Sequence, residues 1–312
     1  MEYKTEGFGD KKILIQKMAK LKIGSNFQLK RLDLVVRGLV NTKFLGGYQS
    51  VFKGTGLEFA DYRNYNPGSD DASMIDWKAS KRVNELLIKE FIEERNLEVN
   101  FLVDVSSQML TGSTKKLKAE YIAELISSLG RSILLAGDSV GMVLFSNKIV
   151  KNIPPQSGMK QFYSLTENLT KVSNYGGYSD IDKALDFIFK NGQEGSLVIL
   201  ISDFVYGINS EKNLKLVSKK FNLISIIVRD PVDIALPEGS GEVVVEDPYS
   251  GSTLLINPRK INKEYSRETS SQLTKVKNLI KKSGGDYLFL ETNKPFIKEI
   301  IAFFKRREMQ WR

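Results

Sequence analysis

Two runs of mainly apolar residues end in a carboxylate. Residues 97–103 (Leu-Glu-Val-Asn-Phe-Leu-Val) lead into Asp104, and residues 196–202 (Ser-Leu-Val-Ile-Leu-Ile-Ser) lead into Asp203. Ser106 lies two residues beyond the first aspartate, and Ser179 opens a stretch with helical character. Two carboxylates and two hydroxyls are hard oxygen donors, a set that suits Mg²⁺, Mn²⁺ or Ca²⁺ and no thiophilic metal. On spacing alone, a strand-end Asp or Ser is more often a turn or helix-cap residue. The chemistry therefore depends on whether the fold brings the four side chains together.

The elements that must do so are readable from hydrophobic periodicity. From Leu97 onward, short apolar runs alternate with helical patterns, which predicts an α/β fold: a mainly parallel sheet with helices on both faces. Strands are expected at 97–104, 139–145, 148–153, 196–203, 223–228 and 287–290, with Ser146-Asn147 as a hairpin turn. Helices are expected at about 115–136, 160–171, 179–190, 210–220, 259–282 and 295–306. The first of these carries Leu117, Tyr121, Leu125 and Leu129 along one face. Ser179, followed by Asp180 and Asp182, reads as a cap oxygen with first-turn carboxylates. Residues 231–257 break the alternation and read as an inserted β-hairpin, 243–245 and 253–256, turning through Asp247-Pro248-Tyr249-Ser250-Gly251. In an open α/β sheet, loops leaving the carboxyl ends of the strands converge where strand order reverses. That rule places Asp104 and Asp203 at one edge.

Composition removes most alternatives. The 312 residues contain no cysteine and no histidine. Disulfides, thiolate nucleophiles, sulfur-bound zinc, the Ser-His-Asp triad and histidine-ligated haem are excluded by inventory. There is no Gly-Lys pair, hence no P-loop. Ser-x-x-Lys occurs at 113–116 and 157–160 without a Lys-Thr-Gly partner, and both are read as surface loops. The formal charge is +9 but dilute, 17 basic against 13 acidic groups in residues 1–96 and 29 against 24 in the remainder. An even spread favours a solvated surface over nucleic-acid binding. The N-terminus is charged on both signs with no apolar run behind it, and no window reaches the ~20 apolar residues that span a bilayer. A cytoplasmic protein without a membrane span is expected.

Motif resemblance adds a family. Asp104-Val105-Ser106-Ser107-Gln108 resembles the Asp-x-Ser-x-Ser signature of the metal-ion-dependent adhesion site (MIDAS) in von Willebrand factor A domains. The resemblance implies a Rossmann-like domain over 97–312, with Ser179 and Asp203 completing a site for Mg²⁺, Mn²⁺ or Ca²⁺. Gln108 stands where the motif has its second serine, its carbonyl a longer and weaker ligand. Upstream, Gly54 to Gly68, Ile75 to Arg82 and Lys89-Glu90-Phe91 resemble the signature block of the DUF58 family, which precedes such a domain. Within it Glu58, Asp61, Arg63, Asp76, Lys78 and Arg82 gather around Tyr62, Tyr65 and Trp77. This cluster reads as a structural network locking residues 1–96 onto the α/β domain, with a partner-binding surface as the second reading. Trp77 is read equally as a core residue or an interface anchor. The family further implies a MoxR-type AAA+ ATPase as partner, in chaperone-like maturation or assembly of a client protein. The expected function is a non-enzymatic, metal-dependent interaction module. The rival is a Mg-dependent phosphatase or nuclease using Asp104 and Asp203, which would want a second aspartate at position 106.

Overall fold

The computed structural model describes residues 58–68, 70–92, 97–208, 210–237 and 241–310. The sequence also carries helical patterns at 11–21 and 26–40; these, and the side chains of Glu58 and Asp61, lie outside the described residues.

Residues 58–92 form a small unit. β1 (Glu58–Asn64) pairs antiparallel with β2 (Leu87–Ile92), and α1 (Trp77–Val83) lies between them in sequence. Asp76 caps α1 by accepting from the amides of Lys78 and Ala79. Arg63 grips Asp70 through both terminal nitrogens, at 2.7 and 2.8 Å, and the Tyr62 hydroxyl donates to Asp76. Asp70 was no part of the expected charge cluster. Trp77 is 67% exposed, which corrects the core reading for this residue. Tyr65 is half-buried and Arg82 exposed.

From residue 97 onward the chain builds a six-stranded sheet in the order β10-β7-β6-β3-β4-β5. Its strands are β3 (Glu98–Asp104), β4 (Ser139–Phe145), β5 (Ile149–Gln156), β6 (Leu197–Ser202), β7 (Asn222–Arg229) and β10 (Asp286–Glu291). All neighbours are parallel except β4 and β5, joined by the expected tight turn. The chain runs outward through β3, β4 and β5, then returns to place β6 on the other side of β3. The reversal of order thus falls between β3 and β6, the two strands that end at the aspartates.

Alternation along the strands sorts side chains into two cores. Val99, Phe101 and Val103 of β3 and Leu197, Ile199 and Ile201 of β6 face one core. It is covered by α2 (Lys118–Leu135), α3 (Met159–Thr170) and α7 (Ile297–Gln310). Leu102 of β3 with Val198 and Leu200 of β6 face the other, covered by α4 (Ile181–Asn191), α5 (Glu211–Lys220) and α6 (Pro258–Lys282). Each such Leu, Ile or Phe taken wholly out of water contributes about 1.5–3 kcal/mol, so the two layers hold the strand ends in fixed register. β8 (Val243–Glu246) and β9 (Thr253–Ile256) form the inserted antiparallel hairpin, with Leu254 and Leu255 exposed. Among the described residues no helix is long and apolar enough to cross a membrane.

Two details differ from expectation. α2 starts at Lys118, with a short 3₁₀ turn over Ser107–Leu110 before it. α4 starts at Ile181, after Asp180, and Ser179 does not cap it. The Ser179 hydroxyl is engaged elsewhere.

Candidate metal site

Val103 of β3 is paired with Ile201 of β6, so Asp104 and the Ser202-Asp203 pair leave the sheet side by side. Asp104 is almost fully buried. One of its carboxylate oxygens accepts from the hydroxyls of Ser179 at 2.6 Å and Ser202 at 2.7 Å, the other from the backbone amide of Ser106 at 2.9 Å. The Ser179 loop is held in reach by backbone bonds. Gly176 N–H donates to Val105, Ser107 N–H to Gly177, and Asp180 N–H to Ser146 in the β4–β5 turn. Gly177 has φ +78°, and a Cβ there would stand 2.6 Å from Asn147 Oδ1. Only glycine lets this loop lie so close to its neighbour.

The Ser106 hydroxyl is completely buried and has no hydrogen-bond partner among the described residues. No ammonium or guanidinium pairs with Asp104 among them either. Burial pushes the Asp104 carboxyl above the ordinary carboxylate range, the Asp203 charge adds to this, and the bonds from Ser179, Ser202 and Ser106 only partly offset it. A buried carboxylate without a cation, beside an unused hydroxyl, is an arrangement that a hard cation would complete.

Asp203 is served differently. One oxygen receives the Lys118 ammonium at 2.7 Å, and the other receives Val205 N–H at 3.0 Å and the Gln108 side-chain amide at 3.3 Å. Lys118 also donates to Asp233 at 3.0 Å, and its side chain is 2% exposed. Burial alone would pull the Lys118 ammonium down; the charges of Asp203 and Asp233 outweigh it and hold the group well above its ordinary value. The sequence reading had Gln108 presenting its carbonyl as a ligand. Here the amide nitrogen is turned to Asp203, so Gln108 acts as a donor to that carboxylate.

Sequence reasoning also passed over Lys118, Ser202 and Asp233. Further along the edge, buried Asp230 accepts from Ser113, from Thr292 at 2.9 Å and from Val232 N–H at 3.1 Å. Ser113, expected on a surface loop, is thus tied to the interior. The oxygens that fit a cation are those of Asp104, Ser106 and Ser179, with Asp203 behind them and Gln108 engaged through its amide nitrogen.

Phe204, directly after Asp203, has φ +54°, an uncommon conformation for a bulky residue. It is held by Ser202, which accepts its N–H, and by Gln272 and Arg229, which donate to its carbonyl. Around the edge stand exposed aromatics. Tyr178 meets Tyr249 of the hairpin turn edge-on at 5.6 Å between ring centroids. Tyr206 is raised above the ordinary phenol range by partial burial and by the charges of Asp247 and Asp203. The hairpin turn and the carboxylate edge therefore share one face. Beside it lies an open cleft of about 550 Å³ whose wall includes Thr292, Lys115, Lys116, Tyr121 and Phe296.

The sheet order, the antiparallel edge strand and the serine and aspartate loops at the switch point define a von Willebrand A-like α/β protein. Residues 61–275 match the family model described as "Protein of unknown function DUF58". The chain belongs to that family. It is similar to the uncharacterized protein Rv1480 of Mycobacterium tuberculosis, 24% identical over 286 residues covering 89% of this chain and 88% of that one. It is also similar to the uncharacterized protein MAV169 of Mycobacterium avium, 25% identical over 158 residues that cover 50% of this chain and 93% of the relative. Among solved structures, the conserved hypothetical protein BatB from Bacteroides thetaiotaomicron aligns over 69% of this chain and 99% of its own, with 18% identity and a TM-score of 0.47.

Proposed function

We propose that this protein is a non-enzymatic, metal-dependent interaction module of the cytoplasm, working with a MoxR-type AAA+ ATPase in the maturation or assembly of a client protein. The observation that carries the metal part is the buried Ser106 hydroxyl, which has no partner among the described residues, next to buried Asp104, which has hydrogen bonds but no counter-cation among them. Asp104, Ser106 and Ser179 would hold the ion, Mg²⁺ or Mn²⁺ before Ca²⁺, the small number of protein donors favouring the former. An ion held by so few protein oxygens supplies an open coordination position that a partner's carboxylate can fill. The exposed Tyr178, Tyr206 and Tyr249 give that face the aromatic surface typical of protein contacts. The ATPase partnership is carried over from the family resemblance.

The test is twofold. Mg²⁺ or Mn²⁺ added to chelator-treated protein raises its melting temperature, and Asp104→Ala removes most of that rise; equal rises in both proteins count against the site. A AAA+ ATPase is retained by the immobilised protein in the presence of Mg²⁺ and is lost with Asp203→Ala. Turnover of phosphate esters, nucleic acid or ATP that Asp104→Asn abolishes would replace this reading with the hydrolase.

A further inference from the structure

Lys118 sits where several rules disfavour a lysine. It is the first residue of α2, where the helix dipole is positive, and its side chain is 2% exposed. Two carboxylates, Asp203 and Asp233, hold its ammonium at 2.7 and 3.0 Å. Asp233 is itself anchored, accepting the Asp230 backbone N–H at 2.9 Å. The ammonium therefore joins three chain segments: the start of α2, the loop after β6 and the short helix Pro231–Asp233 after β7. A buried ion pair is a poor device for stability alone, since apolar residues of similar volume commonly do as well or better. Its placement next to the metal-binding edge suggests a second use.

We propose that Lys118 is a resident cation of this edge, which neutralises Asp203 so that the loops keep their shape without metal and a divalent ion binds weakly and exchangeably. The inference rests on the metal reading above. Asp203 faces the same edge as Asp104, whose carboxyl feels its charge. With Lys118 in place, an incoming divalent ion gains the attraction of Asp104 but meets a fixed positive charge on the far side of Asp203. A unit charge and a divalent ion about 6 Å apart weaken binding roughly tenfold even at the dielectric of water, and more in a buried setting. Removing the ammonium should therefore tighten the site rather than destroy it, the opposite of what a purely structural lysine would show.

The experiment measures Mn²⁺ binding to chelator-stripped protein by the loss of the free-ion electron paramagnetic resonance signal. The variants are Lys118→Met, Lys118→Arg and the double variant Lys118→Met with Asp233→Asn. The double variant removes one charge of each sign, so it keeps the net charge of the edge and carries the test if Lys118→Met does not fold. The expected result is a Mn²⁺ dissociation constant about tenfold lower, or lower still, in Lys118→Met and about twofold lower in the double variant, where loss of the Asp233 charge offsets most of the gain, with Lys118→Arg close to wild type. If the wild type binds Mn²⁺ and the methionine variants bind it equally or less tightly, Lys118 is only a structural clasp and the proposal is overturned. If wild type and variants alike fail to bind at millimolar Mn²⁺, the metal reading itself falls first. Binding by the methionine variants alone would show the resident cation excluding metal outright.

Discussion

Asp104 and Asp203 end neighbouring parallel strands at the same edge, are equally buried, and yet are compensated in opposite ways. Asp104 is surrounded by hydroxyls and an amide, Asp203 by an ammonium. Dipoles can orient around a buried charge, but they leave its net charge in place; an ammonium removes it. One side of the edge is therefore finished by the chain itself and the other is left wanting a cation. Adjacent strands of one sheet thus present one carboxylate paired with a cation of the chain itself and one held by dipoles. The difference comes from a single lysine delivered by the following helix.

Removing that lysine gives the largest effect. Lys118→Met leaves buried Asp203 and half-buried Asp233 without a counter-charge and should cost about 3–5 kcal/mol in urea unfolding of metal-free protein. A cost below ~1 kcal/mol would erase the distinction between the two sides. On the Asp104 side the sign reverses. Asp104→Asn keeps the shape and removes the uncompensated charge, so metal-free protein should gain about 1–2 kcal/mol while losing its response to metal. A loss of stability there would mean that Asp104 is already well served. Gly177→Ala probes the loop that supplies Ser179. Its positive φ and the Asn147 contact should cost about 1–3 kcal/mol and lower Mn²⁺ affinity, whereas unchanged affinity would separate Ser179 from the site. Ser202→Ala removes one donor to Asp104 and the acceptor for Phe204 N–H, about 1–2 kcal/mol by the same unfolding measurement. Tyr249→Ala should change stability by less than ~1 kcal/mol and weaken partner retention alone.

Much of the architecture was legible because periodicity reports burial directly. The strands ending at 104 and 203, the β4–β5 turn and the inserted hairpin all follow from runs and breaks in apolar residues. That Asp104 and Asp203 share an edge was expected from two buried strands each ending in a carboxylate, whereas Ser106 and Ser179 were joined to them by the motif resemblance. Other parts were hidden by local expectation. Ser179 carries a helix-cap signature but sits one residue too early, and tertiary contact with Asp104 takes its hydroxyl. Lys118 closes the run Lys115-Lys116-Leu117-Lys118 and looks like solvated surface. A signal was there: Lys118 precedes Tyr121, Ile122 and Leu125 by three, four and seven residues, which puts it on the buried face of its helix. Asp233 was masked by lying in the break between β7 and the hairpin, where no period organises the residues. Ser202 read as the end of a buried strand because its partner comes from the adjacent one. Gln108 was assigned by motif position, and position does not reveal which end of an amide faces inward.

The bonds from Gln272 to the Phe204 and Val205 carbonyls have a mechanical consequence. Gln272 lies on α6, the 25-residue helix that starts directly after the hairpin, and 14 residues from its first turn, about 21 Å along the axis. The peptide just past Asp203 is thereby bolted to a stiff rod whose other end carries the exposed hairpin. A displacement of the hairpin would be delivered along the helix to the carboxylate edge, and a change at that edge would be felt at the hairpin. The long helix gives this molecule a lever arm.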